Sequence, residues 1–246
     1  MWQGLRTARG ILRSLGVYYG HPRHAAGKRN LYRRFVQPGD LVFDVGAHVG
    51  DRIATFRRLR ARVVAVEPQP AAVTTLRMLY GRKRNVAIEA KAVGRKVGTI
   101  TMRINVDNPT VSTVSDAFVE AARGAAGWEE QIWEKSIEVP MTTLDALIEA
   151  HGRPSVIKID VEGFEEEALA GLTQPVNALS FEFTTIQRQM ARACIGRCET
   201  LGFARFNAAL GESQTLGDWR SAADIVHWLD ELPHEANSGD IYARLA

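Results

Sequence analysis

The ten residues from Leu41 to Gly50, LVFDVGAHVG, constrain the fold of this chain more than any other stretch. A short apolar run ends at Asp44, as expected for a parallel strand that is buried on both faces. Gly46 and Gly50 then bracket a tight turn, where glycine permits positive φ and lets backbone amides at a helix start approach a ligand. The pattern predicts a strand, a turn and a helix that together form a cofactor cradle.

The spacing of these residues indicates which cofactor fits. A dinucleotide-binding turn reads G-x-G-x-x-G, whereas the sequence from Gly46 reads GAHVG and has no glycine in the second position. The next apolar run, residues 62–66, ends at Glu67, 23 residues after Asp44. A carboxylate there can accept both hydroxyl groups of a ribose. A glycine turn between two acidic strand ends suits a nucleoside without a pyrophosphate, such as S-adenosylmethionine (SAM). The alternative is an ordinary βαβ turn in which Glu67 is solvated and binds no ligand.

A second informative stretch, SVIKIDVEG at residues 155–163, indicates a central buried strand that ends at Asp160. Because side chains alternate along a strand, Lys158 and Asp160 share one face of the sheet. A buried lysine needs a carboxylate partner, since an unpaired buried charge is costly. The candidates for that partner are Asp44, Asp160 and Glu182.

The helix after this strand is expected to begin at Glu162 and Gly163 and to run through Leu172. Carboxylates in a first helical turn interact favourably with the helix dipole, which offers a purely structural reason for acidic residues there. That reason is strong for Glu165, which lies farther along the helix, and weaker for Glu162 at the strand end.

The chain of 246 residues, 46% hydrophobic and 24% charged, is long enough for one large α/β domain with a substantial core. We expect this domain to span residues 37–246 and to follow a basic helical segment at residues 1–36. Residues 105–135 form the least regular stretch of the domain. Since this stretch contains Trp128 and Trp133, it is predicted to be a lid over the site and not a disordered loop.

The N-terminal segment is strongly basic, with eight lysine or arginine residues and no acidic residue before Asp40. Apolar residues recur at near-helical spacing among these charges: Trp2, Leu5, Leu12, Leu15 and Tyr19. One interpretation is a basic amphipathic helix on an anionic membrane surface, and another is a helix packed on the domain with its charges solvated. A nucleic-acid-binding arm is a third interpretation, but no aromatic stacking platform accompanies it.

Other classes of protein are disfavoured. The chain has no apolar run long enough for a transmembrane helix, and Arg6, Arg9 and Arg13 interrupt any candidate signal peptide. Cys194 and Cys198 provide neither a disulfide framework nor a complete metal-ligand set, so buried thiols are expected and no metal site is predicted from them. The sequence therefore predicts a cytoplasmic protein that could contact the inner membrane surface peripherally.

The ordered set of motifs resembles the FkbM family of SAM-dependent methyltransferases. The resemblance covers about residues 37–172 and continues more weakly to Glu182. The matching motifs are DVGA at residues 44–47 with Gly50, Glu67-Pro68, AVG at residues 92–94, TLD at residues 143–145 and IKIDVEG at residues 157–163.

This resemblance implies a class I methyltransferase (Rossmann-like) α/β fold, with a doubly wound, mostly parallel, seven-stranded sheet and one antiparallel strand. It also implies methylation of a hydroxyl group on a sugar, a glycolipid or polysaccharide, or a natural product. By the same resemblance Glu67 would hold the ribose and Ala92 would lie by the adenine. The full set of implied cofactor-binding residues is Asp44, Gly46, Ala47, His48, Gly50, Glu67, Pro68 and Ala92.

Methyl transfer to a sugar hydroxyl requires removal of a proton, for which a positioned base contributes a factor of roughly 10² to 10⁴. We expect Asp160 or Glu162 to be this base and Lys158 to fix the carboxylate geometry, with His48 as a further candidate base. A paired carboxylate site could instead hold a divalent metal ion.

The expected partner is a small-molecule or glycan acceptor, not a nucleic acid, and the sequence does not predict the oligomeric state. A lipid-linked glycan would be a natural acceptor if the N-terminal helix lies on a membrane. A nucleic-acid methyltransferase and a non-catalytic SAM-binding module remain as alternatives.

Overall fold

The computed structural model describes residues 2–20, 22–211 and 213–246; the side chains of Trp2 and Leu5 lie outside its description. The strands are β1 (Leu41–Val45), β2 (Arg62–Val66), β3 (Val86–Glu89), β4 (Ala92–Val93), β5 (Gly98–Ile104), β6 (Lys135–Thr142), β7 (Val156–Ile159), β8 (Ala178–Thr184), β9 (Arg205–Leu210) and β10 (Ser238–Arg244). The α-helices are α1 (Trp2–Tyr19), α2 (Pro22–Tyr32), α3 (Asp51–Arg58), α4 (Pro70–Tyr80), α5 (Asp116–Ala122), α6 (Leu144–His151), α7 (Glu165–Ala170), α8 (Arg188–Thr200) and α9 (Ala222–Glu231).

The central sheet has the strand order β3-β2-β1-β7-β8-β10-β9. Strands β3, β2, β1, β7 and β8 pair in parallel, whereas β10 is antiparallel to both β8 and β9. The predicted doubly wound, mostly parallel, seven-stranded sheet with one antiparallel strand is confirmed. The chain order reverses between β1 and β7, and a crevice outside the carboxyl ends of such neighbouring strands is the usual ligand site in open α/β sheets.

Both faces of the sheet are covered, which explains why β1 reads as a continuous apolar run. Phe43 on one face packs in a core with Phe181 and with residues of α6, α7, α8 and α9. Val42 on the other face packs with Ile53 and Phe56 of α3 and with residues of α2. Asp44 is on the same face as Val42, because side chains alternate along a strand, so it faces the α2 and α3 layer.

Strands β4, β6 and β5 form a second, smaller sheet beside the main one. The stretch at residues 105–135 connects β5 to β6 and contains a 3₁₀ turn at Pro109–Val111 and helix α5. Trp133 anchors it by donating a hydrogen bond from Nε1 to the carbonyl oxygen of Val111 at 2.8 Å. Trp128 packs edge to face against Phe118 of α5. The two tryptophans therefore order this connection internally.

Helix α1 packs on the domain. Ile11 is buried, and Arg6 forms an ion pair with Asp107 of the β5–β6 connection. Leu12 and Val17 remain 67% and 53% exposed, so contact of α1 with an anionic surface stays a prediction. Among the described helices, none is both long enough and apolar enough to span a bilayer.

Candidate active site

The turn after β1 brings three strand ends together. Gly46 has a φ of 82°, and a Cβ at this position would lie 1.6 Å from the carbonyl oxygen of Asp160, so only glycine lets the turn approach the end of β7. The backbone amides of Gly46 and Ala47 donate hydrogen bonds to the carbonyl oxygen of Val66 at 2.9 and 3.1 Å. The turn is therefore fixed to both neighbouring strands.

The two acidic strand ends are both buried. Asp44 is 1% exposed, and its Oδ2 has no hydrogen-bond partner among the described residues. The carboxylate of Glu67 accepts hydrogen bonds from the backbone amides of His48 at 2.9 Å and Gln69 at 2.8 Å. Burial raises the pKa of Asp44 and of Glu67 to about 7.

A cavity of about 990 Å³, including its open mouth, lies at the carboxyl ends of β1, β2 and β7. Its lining includes nine residues of the sequence-predicted site: Asp44, Gly46, Ala47, His48, Glu67, Pro68, Ala92, Asp160 and Glu162. Gly50 does not line the cavity; it precedes α3 and packs so closely on Tyr80 that a Cβ would lie 2.6 Å from the ring. Lys158 is also not part of the lining, since it is fully buried behind Asp160.

Lys158 extends beneath the strand ends. Its Nζ donates hydrogen bonds to Asp160 Oδ2 at 3.2 Å and to Asp240 Oδ1 at 2.8 Å. Of the three predicted partners, Asp160 is therefore right. Among the described residues, Lys158 makes no ion pair with Asp44 or Glu182, and Asp240 of β10 is the second partner. Burial opposes the charge on Lys158, but the two carboxylates outweigh burial and raise its pKa.

Three carboxyl groups converge at the cavity edge, with oxygen atoms of Asp160, Glu162 and Glu182 within 4.8 Å of one another. Burial disfavours the charge on Asp160, but the nearby cations Lys158 and Arg52 lower its pKa to about 2. Burial and the negative charge of Asp160 raise the pKa values of Glu162 and Glu182. One ionised carboxylate thus lies beside two carboxyl groups that favour the protonated form.

The same three carboxyl groups are close enough together to hold a cation. Lys158 and Arg52 already supply two positive charges beside Asp160, with Arg52 Nη2 3.5 Å from Asp160 Oδ2. Repulsion by these charges disfavours a divalent ion at this position. The carboxyl cluster therefore fits proton transfer better than metal binding.

Glu162 does not begin a helix, contrary to the expectation from sequence. It has a φ of 56° and Gly163 a φ of 87°, so the chain turns sharply before α7 starts at Glu165, and α7 ends before Leu172. The turn is fixed by Glu165, whose Oε1 accepts a hydrogen bond from the amide of Val161 at 2.9 Å. A left-handed conformation at a residue other than glycine is strained and is often found at functional sites.

His48 also has a positive φ, 44°, in the glycine turn. Its Nε2 lies 3.4 Å from Thr110 Oγ1, and its ring meets the edge of Tyr18 with centroids 6.0 Å apart. Burial lowers the pKa of His48 to about 4, so its imidazole is neutral near pH 7.

Several residues of the cavity wall lie outside the sequence-predicted site. Tyr18 comes from α1, Arg52 from α3, and Thr110 and Ser112 from the β5–β6 connection. One sequence signal could have identified Arg52: it is a cation in the first turn of a helix, where the helix dipole disfavours positive charge. For Tyr18 no local pattern was informative, because its position depends on how α1 packs on the domain.

Residues 44–236 match the model of the methyltransferase FkbM domain, which covers most of this chain. The chain belongs to the FkbM methyltransferase family. The resemblance found in the sequence motifs is thereby confirmed, and the cofactor is SAM.

Among curated proteins, the chain is similar to the hexuronic acid methyltransferase AglP of Haloferax volcanii, with 26% identity over 170 residues. The match covers 67% of this chain and 64% of that protein. The chain therefore spans just under two thirds of the relative that it matches.

Solved structures with a similar fold include a precorrin-6y C5,15-methyltransferase from Geobacter metallireducens, with 11% identity, a TM-score of 0.45, and 90% of this chain and 87% of that chain covered. Fibrillarin from Aeropyrum pernix, solved with bound SAM, has 10% identity and a TM-score of 0.45, with 85% and 68% covered. These similarities are low, so the fold is assigned from the strand order and the family match.

The cavity of this FkbM-family protein suits SAM. The cofactor carries a positively charged sulfonium, and the lining contains more carboxyl groups than cations. The buried Oδ2 of Asp44 lacks a partner among the described residues and can accept a hydrogen bond from a ligand. Gly46 keeps the turn free of a Cβ where it passes the end of β7. Buried acceptors and a close backbone approach are what a polar, cationic nucleoside requires.

Proposed function

We propose that this protein transfers the methyl group of SAM to a hydroxyl group of a sugar, in a glycan, a glycolipid or a natural product. The observation that carries the proposal is the carboxyl cluster at the cavity edge, where Glu162 lies beside the ionised Asp160. The name of the relative AglP adds support, because that protein acts on a hexuronic acid.

The cofactor-binding roles follow from position. Asp44, Gly46 and Ala47 would hold the methionine end of SAM, with Gly50 fixing the start of α3 behind them. Glu67 would accept the ribose hydroxyls, since each of its oxygens accepts one hydrogen bond and retains a free lone pair. His48, Pro68 and Ala92 would form the wall around the nucleoside.

When bound, SAM supplies a methyl group on a sulfonium, which is already a good leaving group. The protein must therefore hold the acceptor oxygen in line with the methyl group and remove one proton. Of the two predicted residues, Glu162 is the stronger base when it is ionised, because burial and the negative charge of Asp160 raise its pKa. Asp160, with a pKa of about 2, stays ionised and positions the acceptor, while Lys158 holds Asp160 in place.

Radiolabelled SAM tests this proposal directly. Purified protein is incubated with methyl glucoside, methyl glucuronide, a phenol and total RNA, and the labelled product is treated with mild alkali. A sugar ether retains the label, whereas a methyl ester on a uronic acid loses it. Alkali-stable label on a sugar is the expected result. Label on RNA would instead support a nucleic-acid methyltransferase, and SAM binding without any product would support a non-catalytic module.

Substitution of the proposed base gives a second test. Glu162→Gln is expected to lower kcat by roughly 10² to 10⁴ while SAM affinity stays within about twofold, because the base acts on the acceptor. Glu166 is exposed and just beyond this turn, so Glu166→Gln is the matched control. Undiminished activity in both Glu162→Gln and Asp160→Asn would contradict the carboxyl mechanism.

We also propose peripheral contact of α1 with an anionic membrane, where a lipid-linked glycan would be the acceptor. The support is the basic character of residues 1–36 and the exposed Leu12 and Val17. Co-sedimentation with vesicles that contain anionic lipid tests this point. Equal sedimentation of the full chain and of a chain lacking residues 1–20 would remove its basis.

A further inference from the structure

Arg52 presents a guanidinium group to the cavity, and none of the described residues accepts a hydrogen bond from it. Its side chain is 18% exposed, and its nearest carboxylate oxygens are Asp160 Oδ2 at 3.5 Å and Asp51 Oδ1 at 3.7 Å. Within the described part of the chain, the guanidinium makes these two long ion pairs and no hydrogen bond. Mostly buried guanidinium groups normally form several hydrogen bonds, so the donors of Arg52 are available to a ligand.

Both carboxylates near Arg52 are held more closely by lysines. Lys158 Nζ lies 3.2 Å from Asp160 Oδ2, and Lys28 Nζ donates a hydrogen bond to Asp51. Lys158 also pairs with Asp240, so Arg52 completes the charge balance of these three acids. Charge balance alone does not explain why the hydrogen-bond donors of Arg52 have no acceptor among the described residues.

Local helix stability does not explain Arg52 either. It is the second residue of α3, where the positive end of the helix dipole disfavours a cation. Arg57 and Arg58, in the last turn of the same helix, are placed favourably by the same rule. Arg52 therefore adds positive charge to a cavity that is lined by more carboxyl groups than cations.

We propose that Arg52 binds a carboxylate group of a ligand inside the cavity. A planar guanidinium can donate two parallel hydrogen bonds to a carboxylate, which a lysine cannot do. Two ligands could supply the carboxylate: the methionine end of SAM, or a uronic acid in the acceptor. The acceptor source rests on the proposed sugar methylation, whereas the cofactor source does not.

The cofactor source is tested by calorimetric titration with S-adenosylhomocysteine and with its decarboxylated analogue. If Arg52 binds the methionine carboxylate, the wild-type protein should prefer the carboxylate form by roughly 10- to 100-fold, and Arg52→Gln should abolish this preference. Arg52→Lys keeps the positive charge but cannot donate two parallel hydrogen bonds, so it should retain part of the preference for the carboxylate form. Arg58→Gln is the matched control, since Arg58 is exposed on the same helix and should leave the preference unchanged.

The acceptor source is tested on the protein saturated with S-adenosylhomocysteine. Methyl glucuronide and methyl glucoside are titrated into this complex. If Arg52 binds a uronic acid, the glucuronide should bind more tightly to wild type, and Arg52→Gln should remove that difference while retaining the preference for carboxylated cofactor.

The proposal is overturned if wild type shows neither carboxylate preference, or if Arg52→Gln retains every preference that wild type shows. Equal weakening of all ligands by Arg52→Gln and Arg52→Lys also overturns it, because that result indicates general disruption. A cofactor carboxylate preference without any labelled sugar product would leave this inference intact and refute sugar methylation.

Discussion

Lys158 on β7 and Asp240 on β10 form a buried ion pair across the intervening strand β8, with 2.8 Å between Nζ and Oδ1. The same ammonium group holds Asp160 at the cavity edge. One fully buried cation therefore connects the proposed catalytic carboxylate to the antiparallel strand of the sheet. The geometry of the site depends on the correct packing of the C-terminal strands.

Replacement of Lys158 should destabilise the fold strongly. Lys158→Met leaves Asp160 and Asp240 without their closest cation, and breaking a buried ion pair on one side costs about 3–5 kcal/mol. Urea unfolding measures the loss. The double variant Lys158→Met/Asp240→Asn should recover part of the stability, because it removes one of the two carboxylates that Lys158→Met leaves unpaired. Additive losses would mean that the two residues are not coupled.

Gly46→Ala should abolish SAM binding and lower the melting temperature. The added Cβ would lie 1.6 Å from the carbonyl oxygen of Asp160, so β1 and β7 would have to separate at the site. Gly39 also has a positive φ, 93°, but an added Cβ there would meet no atom within 4 Å, so Gly39→Ala is the control for backbone strain alone. It should cost only about 1 kcal/mol and leave SAM binding intact. Equal effects of the two substitutions would contradict a special role of the Gly46 turn.

SAM should stabilise the wild-type protein through contacts that include Glu67. At about 100 times its dissociation constant, the ligand adds roughly 2.7 kcal/mol, which raises the melting temperature by roughly 5–10 °C in a chain of this size. Glu67→Ala should remove most of this shift. Glu89 ends the neighbouring strand β3 without lining the cavity, so Glu89→Ala should retain the shift. An undiminished shift in Glu67→Ala would disprove its role in cofactor binding.

Glu165 should make stability depend on pH. Burial raises its pKa to about 7, so the folded state binds this proton more tightly than the unfolded state does. Its contribution is fully present below the ordinary pKa of about 4.5 and is lost as pH rises through about 7, by up to about 3 kcal/mol.

Glu165→Gln should therefore be less destabilising at pH 8 than at pH 5, as measured by urea unfolding at both values. The exposed Glu166 gives the matched control, Glu166→Gln, whose effect should not change between the two pH values. A constant difference between wild type and Glu165→Gln would contradict a raised pKa.

Much of the cofactor side of the site could be read from the sequence because its signals are local. The apolar run before Asp44, the glycine turn and the acidic end of the next strand are separated by few residues, and parallel strands connected by a helix must place their carboxyl ends at one edge. Alternation along β7 also placed Lys158 and Asp160 on one face. These patterns pointed to a nucleoside cofactor, and together with the other motifs they carried the family resemblance, which implied the seven-stranded sheet.

The acceptor side was decided by tertiary structure. Strand order brought Asp240, 82 residues away, to Lys158, and no periodicity in the sequence specifies such a pair. Nearby cations lower the pKa of Asp160, whereas burial and the charge of Asp160 raise the pKa of Glu162, although only one residue separates the two in the motif. The packing of α1 supplied Tyr18, and the start of α3 directed Arg52 into the cavity. Local sequence determines which elements form and which faces they bury, whereas the encounters of distant side chains depend on how those elements pack.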